Sequence, residues 1–244
     1  MRHVGAVKSF RPYLLWFVAA LLVTVAAIRA MTWVRDHPEH WPGARFELAH
    51  PQGWATHRKL IGLVGDDAGC FAAFERAGAG YQRRPVVGEG ACRASQRMVL
   101  TGDRLVPSLR PANAAPGCAV TAAMALWTRD VVQPLAQRYF GQKVVELENL
   151  GSYNCRTIAG RAAQSEHSTA NAIDISAFVL ADGTRIALIN DWDDGDRRSE
   201  FLHAVRDGSC GLFSTVLSPD HDAAHANHFH LDMAARTAGW SVCR

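Results

Sequence analysis

The sequence predicts an α+β domain, a small antiparallel β-sheet flanked by helices, held behind an N-terminal transmembrane helix. Three observations predict it. An uncharged apolar run, Pro12 to Ile28, lies near the N-terminus. Beyond it, several segments carry the two-residue period of strands, and one long Ala-rich segment reads as helix. Strand-like segments follow one another through tight turn signals such as Asp182-Gly183, which favours hairpins and therefore antiparallel pairing. The 244 residues are 48% hydrophobic and 20% charged, enough apolar material for one sizeable core or two small ones, so disorder is excluded. A net charge of +3, with no dense Lys/Arg stripe and no interleaved aromatics, argues against nucleic acid as a partner.

Arg2, Lys8 and Arg11 precede the apolar run, the pattern of an export signal. A span needs about 20 apolar residues. The run reaches that length when Arg29 snorkels and the helix continues to Trp33 and Val34. A cleavable signal has a shorter apolar core and a small-x-small exit, which Val25-Ala26-Ala27 matches only in part. The length therefore favours an uncleaved anchor. Residues 1–34 form a cytoplasmic tip and a single inner-membrane span, with membrane contact through residues 12–34. The C-terminal domain then faces the periplasm, and the alternative is release into the periplasm after cleavage.

Cys70, Cys92, Cys118, Cys155, Cys210 and Cys243 fit an oxidising compartment. They are well separated and form no CxxC pair, so disulfides are expected rather than a zinc knuckle. Sequence leaves the connectivity open, and pairing of neighbours, Cys70 with Cys92, is the simplest expectation.

Residues 35–58, rich in Pro, His, Trp and Gly without a period, read as a juxtamembrane linker, and 59–244 as the domain, with a core at 118–243. Asp66 is placed to cap a short helix through Cys70, Phe71 and Phe74 that stops at Gly78, and Gln96 to Leu100 reads as a strand. Cys118 to Phe140 is a core helix kinked by Pro134 and ended by Gly141. Val145 and Leu147, alternating with Glu146 and Glu148, share the buried side of the next strand. Asn171 to Leu180 and Arg185 to Asn190 make a hairpin across Asp182-Gly183, and a helix through Phe201, Leu202 and Val205 stops near Gly208. Leu212 to Leu217 and His228 to Met233 complete the strands, joined by a polar, His-rich loop.

Alternation also sorts the polar residues. In the first of these strands Ile173 and Ile175 take one face, and Ala172, Asp174 and Ser176 the other. In the last, Phe229, Leu231 and Met233 face the core while His228, His230 and Asp232 share the opposite side. If the two strands are neighbours, Asp174 and His230 converge, and His167 in the preceding loop completes a three-ligand set. Two imidazoles and a carboxylate suit one Zn2+ ion with an open position for water, the catalytic kind of site, although spacing alone does not separate zinc from manganese or iron.

His228 is the first choice for proton transfer and His225 the second. Arg156 is placed to bind a substrate carboxylate or an oxyanion. Ser165 and Asp232 are read as supporting His167 and His230 without touching the ion. No nucleophile elbow surrounds Ser165, and the disulfide reading removes Cys155 as a nucleophile.

Ser165-Glu166-His167-Ser168-Thr169-Ala170-Asn171-Ala172-Ile173-Asp174 resembles the SxHxxGxAxD signature of the lysostaphin, D-Ala-D-Ala carboxypeptidase and hedgehog superfamily of zinc hydrolases, with Ala170 in place of Gly. His225-Ala226-Asn227-His228-Phe229-His230 resembles the third-ligand motif of penicillin-insensitive murein endopeptidases, whose last His binds zinc. Other members carry a catalytic Glu where this chain has Asn227, which leaves the base open. Through GSYNCR, SEH…NAID, FSTVLSPD and HFHLD the chain is most similar to the extensin-like C-terminal domain family. The resemblance implies a zinc-peptidase-like fold and a zinc-dependent peptidase or amidase acting on a peptidoglycan stem peptide or cross-link. Two alternatives stay open: a non-catalytic peptidoglycan-binding module that keeps the metal site, and a structural envelope protein whose metal stabilises the fold.

Overall fold

The computed structural model describes residues 11–102, 105–236 and 240–244; Arg2, Lys8 and the side chain of Arg11 lie outside the described residues. Helix α1 runs Arg11–Asp36, 26 residues or about 39 Å of helix. Within Pro12–Asp36 an 18-residue stretch reaches a mean hydropathy of 2.2, and no residue of that stretch is buried against the rest of the chain. The helix is therefore long and apolar enough to cross a membrane; its large apolar side chains from Tyr13 to Met31 are exposed, and near its C-terminal end Trp33 stacks on His40 with 5.3 Å between the rings.

The segment after α1, expected as a linker, sends Phe46 and Leu48 into the domain core. Arg129 holds it from the domain side, donating from Nη1 to the Leu48 carbonyl at 2.5 Å and from Nη2 to that of His50 at 2.8 Å. Irregular backbone shows no period in sequence, so this packing leaves no trace there.

Helices α2 (Thr56–Gly62) and α3 (Asp67–Arg76) follow, and Asp66 caps α3 by accepting from the Gly69 N–H at 2.9 Å. Strands β1 (Tyr81–Arg83) and β2 (Met98–Leu100) form a two-stranded antiparallel ribbon. After β3 (Ser108–Arg110), the expected long helix is two helices, α4 (Cys118–Trp127) and α5 (Gln133–Phe140), joined by a π-helical turn at Thr128–Val132. Pro134 stands in the first turn of α5 and has no N–H to continue the ladder, which is why the helix widens just before it. Gly141 ends α5 in the left-handed conformation.

The main sheet contains β3, β4 (Val144–Gly151), β5 (Ala172–Leu180), β6 (Arg185–Ala187), β7 (Thr215–Leu217), β8 (Phe229–Asp232) and β9 (Val242–Cys243). Its order is β3-β4-β5-β8-β7-β9, with β6 paired to the far half of β5. It is not the small antiparallel sheet expected: it has seven strands, and β3–β4 and β7–β9 are parallel. The reason is the crossover. The chain leaves β3, runs through α4 and α5, and returns beside β3 in the same direction, as a helical connection requires. Strands β3 and β9, three and two residues long, are too short to show a period.

Strand β6 ends at Ala187, where the chain turns into the short helix α6 (Leu188–Asp191) rather than continuing to Asn190. Helix α7 (Arg197–Ser209) is capped by Asp196 and lies over the sheet. Trp127, Phe178, Phe201, Phe213 and Phe229 are fully buried, with Phe178 at 5.4–5.8 Å centroid distance from Phe201 and Trp127. The Trp127 Nε1–H finds Ser209 Oγ at 2.8 Å, so the largest core side chain leaves no donor unpaired.

The β4–β5 pairing carries three register shifts, and two of them reset which side chains face the core. Opposite β4, the register steps from Ile175 to Ala177, so Ser176 is the extra residue on β5. The slip moves Phe178 and Leu180 onto the face that Ile173 and Ile175 already occupy. On β4, Val145 is the extra residue between the pairs of Val144 and Glu146 and is 46% exposed, whereas Val144 and Leu147 are buried. The expectation that Val145 and Leu147 share the buried side fails for that reason.

The cysteines form three disulfides: Cys70–Cys118, Cys92–Cys155 and Cys210–Cys243. The expected Cys70–Cys92 bond is replaced by one that ties α3 to the start of α4, since pairing follows helix packing and not sequence proximity. Cys70→Ala/Cys118→Ala is expected to lower unfolding stability by about 4 kcal/mol, the loop entropy of its 48-residue separation, measured by urea unfolding. A change below about 1 kcal/mol would contradict this.

Candidate metal centre

Strands β5 and β8 are antiparallel neighbours, and their register sets Asp174 directly opposite His230. The faces follow the alternation. Phe229, Leu231 and Met233 are fully buried in the core, while His228, His230 and Asp232 turn the other way and retain slight exposure. His167 arrives from a 3-10 turn, Glu166–Thr169, that precedes β5. Ser165 caps this turn, its Oγ accepting from the His167 N–H at 3.3 Å. The turn closes at Ala170 in the left-handed conformation, φ 57°, at the position where the signature has Gly. That conformation is penalised by any Cβ, which accounts for Gly in the signature, and the complete burial of Ala170 leaves room for no more than a methyl here.

His167 Nε2 lies 3.2 Å from Asp174 Oδ1 and 3.0 Å from His230 Nδ1, and His230 Nδ1 lies 3.0 Å from Asp174 Oδ1. The other nitrogen of each ring fixes its protonation. His167 Nδ1 is 2.9 Å from the Ser152 carbonyl, which only accepts, so Nδ1 carries the proton and Nε2 turns a lone pair inward. His230 Nε2 is 3.2 Å from Asp232 Oδ2 and donates to it. Three lone-pair atoms thus face one another in a buried place, which is unfavourable unless a cation or a proton sits among them. Their separations match the edges between ligands bound to one ion at about 2 Å, so the donor set fits a divalent metal such as zinc.

Titration follows the same geometry. Burial opposes ionisation of Asp174, but the two imidazoles that face it, His167 and His230, outweigh it and hold the carboxyl well below the usual carboxylate range. Burial also opposes charge on His230, yet its bonds to Asp174 and Asp232 prevail and push it up to about 9. His228 is different. Its Nε2 stands 3.6 Å from Asp174 Oδ1, and burial pushes it below the ordinary histidine value despite that carboxylate. Asn227 Oδ1 lies 2.8 Å from His228 Nδ1, which directs the remaining lone pair, on Nε2, towards the cluster.

His225 stands further out, its ring 5.2 Å from that of His228 and 6.0 Å from that of His230, with Nδ1 on Asp222 Oδ1 at 2.6 Å. Arg156 is exposed, and its contacts among the described residues are backbone ones: its N–H to Ser168 Oγ and its carbonyl from the Ser165 N–H. The structure therefore ties the Arg156 backbone, not its guanidinium, to the site. Two supports carry no signal in the sequence. The Ser152 carbonyl that orients His167 is a main-chain atom, and Asn227 stood out only as a departure from a motif.

Exchanging Asp232 for Asn keeps the size of the side chain but removes the charge behind His230. Zinc affinity is expected to fall by about 10- to 100-fold, read by competition with a chromophoric chelator. An unchanged affinity would contradict the support role.

The fold and the cluster together define a disulfide-bearing α+β domain with a His/Asp/His centre on the polar face of its sheet, preceded by a helix able to cross a membrane. The family described as "Extensin-like protein C-terminus" matches residues 68–244, and the chain belongs to that family. No curated protein and no solved structure matches the chain.

Proposed function

We propose that the chain is a zinc-dependent peptidase or amidase acting on peptidoglycan stem peptides or cross-links, tethered to the inner membrane by α1 and facing the wall. We also place the domain in the lysostaphin, D-Ala-D-Ala carboxypeptidase and hedgehog superfamily, on the strength of the SxHxxGxAxD-like run. The observation that carries the reading is the convergence of His167 Nε2, Asp174 Oδ1 and His230 Nδ1 within 3.0–3.2 Å on one face of the sheet. His167, Asp174 and His230 hold the ion, and zinc when bound supplies a water acidified towards a pKa of about 7 and a Lewis acid for the amide carbonyl.

The chain's own residues do the rest. His228 Nε2 accepts a proton from the attacking water and returns it to the leaving amine nitrogen. Its low basicity keeps it unprotonated at neutral pH, as a base requires. Asn227 holds its ring through Nδ1, and Asp232 holds that of His230. Export through α1 and the three disulfides support a site of action outside the cytoplasm.

Asn227, exposed where related enzymes carry a catalytic Glu, favours one second reading: a domain that holds wall peptide without cutting it. The full chain in detergent micelles, incubated with muropeptides and assayed by mass spectrometry, separates the two. Cleavage that a chelator abolishes and added zinc restores supports the hydrolase. Binding of muropeptides without product under saturating zinc rejects it in favour of the module. A metal that raises the melting temperature with neither binding nor product leaves only the structural envelope role.

A further inference from the structure

The loop between β7 and β8 carries a second cluster, of which the hydrolytic reading names only His225, as its second choice of base. Its base is pinned by Asp220, which accepts from Trp192 Nε1 at 2.8 Å and from Arg206 Nη1 at 2.7 Å. The next residues are His221 and Asp222, and a 3-10 turn, Ala223–His225, brings His225 back towards them. Asp222 Oδ1 caps that turn, accepting from the N–H groups of Ala224 at 3.0 Å and His225 at 3.2 Å, and also faces His225 Nδ1. The other oxygen, Oδ2, lies 3.4 Å from His221 Nε2. One donor atom from each of His221, Asp222 and His225 thus falls within 4.8 Å of the others, and none of the three belongs to the first cluster.

We propose that His221, Asp222 and His225 form a second divalent-cation site on the rim of the first, taking zinc or another ion that accepts imidazole and carboxylate. Two imidazoles and a carboxylate make the same borderline donor set as the inner centre. The rim site binds more weakly. Its side chains are 28%, 48% and 20% exposed in chain order, against 3%, 15% and 11% for His167, Asp174 and His230. Water competes for exposed donors, and mobile side chains lose rotamer entropy on closing around an ion. An ion there staples the loop that carries both His225 and His228, since their rings are only 5.2 Å apart.

The test counts metal and needs no catalysis. Full-length metal-free chain in detergent is titrated with Zn2+ against a chromophoric chelator, and the bound metal is counted by atomic emission after equilibrium dialysis. Wild type is expected to bind two ions, a tight one and one weaker by at least tenfold. His221→Ala, and Asp222→Asn, which keeps the oxygen that caps the turn, should each lose the weaker ion and keep the tight one unchanged. Retention of the tight ion shows that each variant is folded. One ion in the wild type at zinc concentrations far above the tight constant overturns the proposal, as do two ions in both variants.

Discussion

His228→Ala should lower muropeptide turnover by about 10²- to 10⁴-fold, the range expected for loss of a positioned general base, while zinc stays bound. The two halves of that result come from different distances. The His228 Nε2 lies 3.6 Å from Asp174 Oδ1, close enough to take a proton beside the cluster, whereas the three atoms proposed to hold the ion lie 3.0–3.2 Å from one another. On the proposed mechanism, removing the imidazole takes away the proton acceptor and leaves His167, Asp174 and His230 in place. His230→Ala should instead lose metal and turnover together. Measuring kcat and zinc content in parallel distinguishes them. Turnover within a few-fold of wild type in His228→Ala would reject this base and move the role to His225, the nearest other imidazole.

Without metal, the chain should lose stability as pH rises from about 6.5 towards 9, and zinc should reverse that slope. His230 has its folded-state value raised to about 9 from 6.5. A raised value means that protonation favours the folded state, so the contribution is complete below about 6.5 and gone above about 9. The difference corresponds to about 3 kcal/mol. Asp174 works in the opposite sense: its value is depressed, so its contribution is present above the ordinary carboxylate range and is lost as pH falls through its own folded value. Bound zinc displaces the inward proton of His230, and affinity for it grows as that proton becomes easier to remove.

Urea unfolding from pH 5.5 to 9.5, in chelator and in saturating zinc, reads both slopes. In chelator, His230→Ala leaves the buried Asp232 and the part-buried Asp174 carboxylates without their cation and should cost about 3–5 kcal/mol at pH 6. A flat pH profile for the metal-free wild type would show that no such charge pair exists.

By itself the sequence determined the apolar N-terminal helix, the α+β class, the faces of β8 and of β5 as far as Ser176, and it named the three side chains that meet on the polar face of the sheet. Each of these is carried by local spacing: a charge-free run for α1, and a two-residue alternation that puts Asp174 and Ser176, or His228, His230 and Asp232, on one side of a strand. Tertiary structure decided everything that depends on which segments meet. Cys70 pairs with Cys118 because α3 packs on the start of α4. The sheet gained parallel edges because α4 and α5 form a crossover, and its outer strands are too short to carry a period. Val145 turned outward because a bulge shifts parity, and nothing in an alternating run marks the residue that will be skipped.

The centre itself lies between the two kinds of information. The residue types were legible, but their convergence rests on the antiparallel register of Asp174 with His230 and on a main-chain carbonyl at Ser152 that orients His167. Side-chain identity is written residue by residue, whereas register and carbonyl direction are properties of the assembled backbone, fixed only when distant segments hydrogen-bond.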